Sequence, residues 1–196
     1  INAPIYRDID IKGMRREGRK AFMQTWISYY VTARMLWDAD ADLEAIKQDF
    51  YPTFFGAAAA PHVRAWWDAC AERLVNSTMQ AHEDWLVNHL YNKEFADRIH
   101  KHVEAALKAK ATESQKQRVR AFALIAENLE SYATMHAAIR DLDWKAAAKH
   151  AGRMSEIKHE LHAIYPFFMQ PEREGRTRPF FAEGYQKRFL EFADLT

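Results

Sequence analysis

The chain has 196 residues, of which 48% are hydrophobic and 13% aromatic, and its formal net charge is +1. That length buries roughly 70% of the unfolded surface in one sizeable domain, so neither a disulfide nor a metal staple is required. The near-neutral charge gives no overall attraction to nucleic acid or an anionic membrane, no run of about 18 apolar residues is present to span a bilayer, and the single Cys70 rules out an internal disulfide.

Gly and Pro are scarce, at six each, while Ala, Glu, Lys and Arg abound. That balance favours helix. The chain begins at Ile1 rather than Met and shows no signal peptide, which fits a removed leader or a piece of something larger.

In chain order, Ile9-Asp10-Ile11-Lys12-Gly13-Met14 alternates and then turns, as a short strand does, and Arg15-Arg16-Glu17-Gly18 follows as a charged loop. A lone strand cannot satisfy its own backbone groups, so its pairing partners are expected outside this chain. From Lys20 to Trp37 the apolar residues Phe22, Trp26, Tyr29, Tyr30, Ala33, Leu36 and Trp37 fall at helical spacing on one broad face. Asp38 or Asp40 is expected to cap a second helix carrying Leu43, Ile46 and Phe50 and ending near Tyr51-Pro52, with Phe54-Phe55-Gly56 as an aromatic knuckle beyond it.

A third helix after Pro61 carries Val63, Trp66, Trp67, Cys70 and Leu74. Residues 77–91 read as a short helix or an ordered connection. Asn92 caps a fourth helix to about Lys110, with Phe95, Ile99, Val103 and Leu107 inward. Thr112 or Ser114 caps a fifth reaching Arg140, and Asp143 a sixth reaching about Ile164. Residues 171–179 read as a charged loop, and a last amphipathic helix runs from about Phe181 to Phe192. The whole predicts a mainly α protein, a bundle of about six to seven helices with one short N-terminal strand.

The motifs that could carry chemistry are incomplete. Gly13-x4-Gly18-Arg19-Lys20 lacks the Lys directly after the second Gly and the Ser or Thr that a phosphate loop needs for magnesium. Asp38-x-Asp40-x-Asp42 has Leu43 and Asp49 where a calcium loop needs Gly and Glu, so the aspartates read as helix caps. Glu156-x-x-His159 has ligand spacing, yet a di-iron bundle needs a second such pair, and none is present. His150, His159, Glu160 and His162 read as a surface cluster, and Cys70 as a small hydrophobe. The Arg and Lys residues from 108 to 120 read as a solvated face, and Trp66-Trp67, diverging by about 100° on a helix, as packing rather than a sugar platform. No metal, no cofactor and no catalytic set is predicted from these residues.

The stretch from Tyr29 through Leu74, above all Tyr30, Ala33, Leu36-Trp37-Asp38, Asp40, Asp42, Phe50, Tyr51, Phe55-Gly56, Ala58 and Trp67, resembles the C-terminal helical region of the DUF4838 family. Phe55-Gly56 stands where that family tends to have a tyrosine-glycine pair. The family comprises large bacterial proteins resembling glycoside hydrolases, akin in architecture to α-glucuronidases and hexosaminidases. The resemblance implies that Ile11-Lys12-Gly13-Met14 is the last strand of a (β/α)8 barrel. Residues 1–19 would then end a catalytic domain, and residues 20–196 would form a C-terminal helical domain. It further implies that the active face includes Glu17 for a sugar hydroxyl, Arg15 and Arg16 for an acidic sugar and Trp26 for a ring face.

Glycosidases need two flanking carboxyl groups, and only Glu17 is near that face, so catalysis is expected to come from upstream residues. The implied partners are the catalytic barrel of the parent polypeptide, carbohydrate and a second copy of the chain. The implied compartment is periplasmic or extracellular. The alternatives are a self-contained helical binding or scaffold bundle and a metal-dependent bundle enzyme using Glu156 and His159.

Overall fold

The computed structural model describes residue 8 and residues 22–79, 89–168, 172–173, 176–177 and 182–195. Seven helices occur among the described residues: α1 (Phe22–Trp37), α2 (Leu43–Phe55), α3 (Ala60–Val75), α4 (Lys93–Lys108), α5 (Glu113–Arg140), α6 (Trp144–Ile164) and α7 (Ala182–Ala193). The chain is thus mainly helical. The strand expected at 9–14 lies outside the described residues. Part of the stretch read as a charged loop is instead a small antiparallel ribbon, β1 (Glu172–Arg173) paired with β2 (Arg176–Thr177).

Three helix starts follow directly from local chemistry. Asn92 Oδ1 accepts from the Phe95 amide at 3.0 Å, and Asp143 Oδ1 accepts from the Ala146 amide at 3.0 Å. At Thr112 the capping is reciprocal: Gln115 N–H donates to Thr112 Oγ1 and Thr112 N–H donates to Gln115 Oε1. At α2 the cap is neither Asp38 nor Asp40 but Asp42, whose Oδ1 accepts from the Glu44 amide at 2.8 Å. Only the residue just before Leu43 can reach that donor; Asp38 instead closes the turn by accepting from the Asp40 amide at 3.0 Å.

Helix α2 also runs past the expected stop. Pro52 sits inside it, on the exposed side, and the helix continues to Phe55. The Gly56 amide then donates to the Pro52 carbonyl at 2.8 Å. Gly56 has φ +86°, and a Cβ there would meet Gln115 Oε1 at 2.8 Å. The end of α2 therefore abuts the capping pair that starts α5, and only glycine permits it.

Helix α5 has 28 residues, about 42 Å of rise. It is the central element, packing against α1, α2, α4 and α6. Its first half enters a large core with Trp26, Phe55, Val63, Trp66, Ile99, Val103 and, from α6, Ile157 and Leu161. Its second half forms a smaller core of Met135 and Ala138 with Ala147, Ala148 and Ala151 of α6 and Phe189 of α7. The alanines and Gly152 let the backbones approach closely; a Cβ on Gly152 would collide with the Gln186 amide of α7. Several residues expected inward are exposed: Leu36, Trp37, Leu43, Leu74 and Leu107. Each lies at a helix end or an outer edge, where no neighbouring element covers the apolar stripe.

The turn between α5 and α6 binds twice. Leu142 N–H donates to the Ile139 carbonyl and Asp143 N–H to the Ala138 carbonyl, a Schellman pattern with Leu142 at φ +59°. That conformation suits glycine and strains leucine, whose side chain is 69% exposed and contributes little packing. Leu142→Gly is expected to raise stability by about 0.5–1 kcal/mol, read as a higher urea midpoint at unchanged slope. A lower midpoint would show that the turn gains more from leucine than it loses to strain.

Candidate functional site

Two features gather chemically distinctive side chains. The first is an aromatic groove of about 440 Å³ between α1 and α2, walled by Tyr29, Tyr30 and Ala33 on one side and Phe50, Thr53 and Phe54 on the other. Trp26 lines it yet exposes only 1% of its surface. Its ring makes edge contacts with Phe54 at 5.1 Å, Phe55 at 4.7 Å and Phe50 at 6.3 Å between centres. No face of Trp26 is open for a sugar ring to stack on, and its buried indole N–H has no hydrogen-bond partner. Arg15, Arg16 and Glu17 lie outside the described residues.

The rim of the groove is polar. Tyr30 O–H donates to Asp49 Oδ2 at 2.8 Å, and Arg34 donates to the Tyr30 oxygen at 3.1 Å. Arg118, expected on a solvated face, instead lies 4.7 Å above the Phe54 ring and donates to the Phe54 carbonyl at 2.9 Å. It satisfies the last turn of α2 from α5. Beyond the groove, at the end of α1, Trp37 is 94% exposed, and Leu36 and Leu43 are exposed as well.

The second feature centres on Arg153 of α6. Its Nε and Nη2 donate to the two carboxylate oxygens of Glu127 on α5, at 2.6 and 2.8 Å. Nη1 donates to Glu160 at 2.6 Å and to Glu156 at 3.1 Å. These carboxylates hold the guanidinium charged, well above its already high ordinary pKa, the hydrogen bond to Glu127 contributing most. The adjoining cleft, about 560 Å³, includes Glu130, Lys149 and His150. Burial, then Lys149, pushes the His150 imidazole below its usual value.

With three carboxylates committed to one guanidinium, the arrangement works as a clamp between α5 and α6. Glu156, expected as a metal ligand in the alternative reading, faces Arg153. Among the described residues no group of three or more His, Cys, Asp or Glu is placed to hold a metal ion. Sequence reading missed Arg153 because a bidentate pair across two helices depends on their register. The one available signal was that Glu127 and Arg153 lie a few helical turns to either side of the Asp141–Asp143 turn.

Trp66 is buried and meets Trp67 edge-on at 5.0 Å, as packing rather than a platform. No described helix is long and apolar enough to cross a membrane.

The DUF4838 family model, described as a domain of unknown function, matches residues 2–68. Residues 2–68 are thus similar to the DUF4838 family. The match covers about a third of the chain and takes in α1, α2 and the first half of α3. It therefore contains the aromatic groove and the exposed Trp37, and not the Arg153 clamp. No curated protein and no solved structure shows significant similarity to the chain.

Two side chains give direct tests of this geometry. Cys70 is buried, and burial pushes its thiol up to about 12. Native protein at about pH 8 is expected to resist alkylation by iodoacetamide while urea-unfolded protein reacts readily, as mass spectrometry would show. Equal rates would mean that α3 opens locally.

His100 Nδ1 lies 2.6 Å from Glu130 Oε1, and this hydrogen bond raises its pKa against a smaller opposing effect of burial. A raised imidazole value stabilises the fold fully below about pH 6.5, and that stabilisation is lost as pH rises through the raised value. The stability gap between wild type and His100→Gln is expected to shrink from about pH 6 to about pH 8.5 in urea titrations. A gap that does not change with pH would show a bond without charge assistance.

Proposed function

We propose that this chain is the C-terminal, mainly helical part of a glycoside-hydrolase-like, carbohydrate-active protein, in which it braces a catalytic barrel and is not catalytic alone. The observation that carries the reading is Trp37, 94% exposed within the family-matched stretch. A solvated indole, with Leu36 beside it in sequence also exposed, is apolar surface of the kind that docks against another folded unit. The α1–α2 groove continues that surface with seven mostly aromatic lining residues. Glu127, Glu156 and Glu160 of the α5–α6 cluster are engaged by Arg153, which supports a bracing role over hydrolysis by these residues.

A second reading, a self-contained binding or scaffold bundle, has its own support. The core built on Phe55, Phe122 and Trp66 links α1 through α6 without help from any other chain. The two readings differ in what Trp37 touches.

The test compares the 196-residue chain with the product of the gene's full reading frame. The short chain is expected to show no hydrolysis of aryl glycosides above background. Trp37→Glu is expected to leave the melting temperature of the short chain within about 1 °C, because the side chain is solvated there. The same substitution should lower that of the longer product by about 4 °C or more, because the indole would be buried at an interface. Hydrolysis by the short chain, a reading frame without an upstream barrel, or an unaffected longer product would overturn the proposal.

A further inference from the structure

Helices α3 and α4 pack side by side, and a cleft of about 670 Å³ opens between them. Its charge is uneven. Arg73 of α3 and Arg98, Lys101 and His102 of α4 line it, against the single carboxylate of Glu72. Elsewhere this chain pairs many of its cations: Arg34 with Asp49, Arg64 with Glu44 and Asp68, Lys93 with Asp97. Among the described residues no carboxylate lies within ion-pair distance of Arg73, Arg98 or Lys101.

The two arginines are held in place by one ring. The guanidinium carbons of Arg73 and Arg98 lie 4.9 and 5.3 Å from the centre of Phe95, so they are no further apart than the sum of these, about 10 Å. Arg73 is fixed again by donating its Nε–H to the Leu90 carbonyl. Among the described residues, stacking and this one bond leave the remaining N–H groups of both guanidiniums free to donate. The field is felt by the neighbouring imidazole: His102, whose ring lies 6.5 Å from that of His62, is pushed below its usual pKa first by burial and then by Lys101 and His62.

We propose that this cleft binds a small phosphorylated molecule, with its phosphoryl oxyanion on Arg73, Arg98 and Lys101 and its organic part on Leu90 and Ile99. Among the described residues, three permanent positive charges facing one carboxylate leave an excess of two, which a phosphate dianion matches and a monoanion does not. Leu90 and Ile99, largely buried, also line the cleft and give it an apolar part that inorganic phosphate would not use. The volume falls in the range of about 300–1,000 Å³ typical of small-molecule sites. This inference stands apart from the bracing role, since the α3–α4 cleft shares no residue with the α1–α2 groove.

The test titrates the 196-residue chain with phenyl phosphate, inorganic phosphate and benzoate, following the His102 ring protons by NMR, assigned through their loss in His102→Gln. Phenyl phosphate is expected to shift them saturably and to raise the His102 pKa, while inorganic phosphate binds about tenfold more weakly and benzoate more weakly still. Arg98→Gln, on an exposed side chain, is expected to weaken phenyl phosphate by about tenfold or more with an unchanged circular dichroism spectrum. Arg73→Gln also removes the bond to Leu90, so Arg98→Gln is the deciding variant; Lys145→Gln on α6 should bind as wild type does.

No saturable shift up to about 10 mM phenyl phosphate, or full affinity in an Arg98→Gln, Lys101→Gln double variant, would overturn the site. Benzoate matching phenyl phosphate would overturn the phosphoryl assignment. Inorganic phosphate matching it would overturn the apolar half of the site.

Discussion

Helix α5 is buried on more than one side, and the rest of the chain is arranged to cover it. Ala121, Phe122, Leu124, Ile125 and Ala126 are all buried, a near-continuous run that no single neighbour could shield. Four helices are needed to cover this post: α4 and α6 along it, α1 and α2 at its starting end. The register of α6 on α5 is fixed at two points. The Leu142 turn holds one end, and the bidentate Arg153–Glu127 pair holds it again about three turns along each helix. Such a partly exposed pair adds modest energy, but it specifies which turn of α6 faces which turn of α5.

This arrangement decides where function can reside. The interior is filled, so any partner must meet the outer faces. Those faces differ in character. The α1–α2 end is aromatic and ends in a solvated Trp37, the α3–α4 cleft is cationic, and the α5–α6 flank is rich in carboxylates gathered on Arg153. The match to the DUF4838 family model extends over the first of these and ends inside α3. The aromatic end is therefore the surface that the family segment itself shapes. The other two lie largely on helices beyond the match.

Helix existence and several exact starts were legible because capping is a local reaction. Asn92, Thr112 and Asp143 bond to amides three residues away, and nothing distant is needed to hold them. The cap of α2 was misplaced by two or more residues because three aspartates at alternate positions offer the same chemistry, and only the start of the helix at Leu43 selects Asp42. Pro52 misled for a related reason. Its missing N–H costs one bond, which packing of Tyr51 and Phe55 on the other face outweighs. Apolar periodicity marked Leu36, Trp37 and Leu107 as inward, but periodicity gives a direction around a helix axis and not the presence of a neighbour in that direction.

The sequence by itself determined a helical chain, the lengths of its later helices, the packing role of Trp66 and the likeness of its first third to one family. These depend on residue propensities, caps and short motifs whose partners lie within a few positions along the backbone. Only the tertiary structure decided that Trp26 is walled in by Phe50, Phe54 and Phe55, that Arg118 caps α2 from another helix, and that Arg153 gathers Glu127, Glu156 and Glu160. Those facts depend on the relative register of helices far apart in the chain. That register is set by how whole faces interlock, a property that no short window of residues contains.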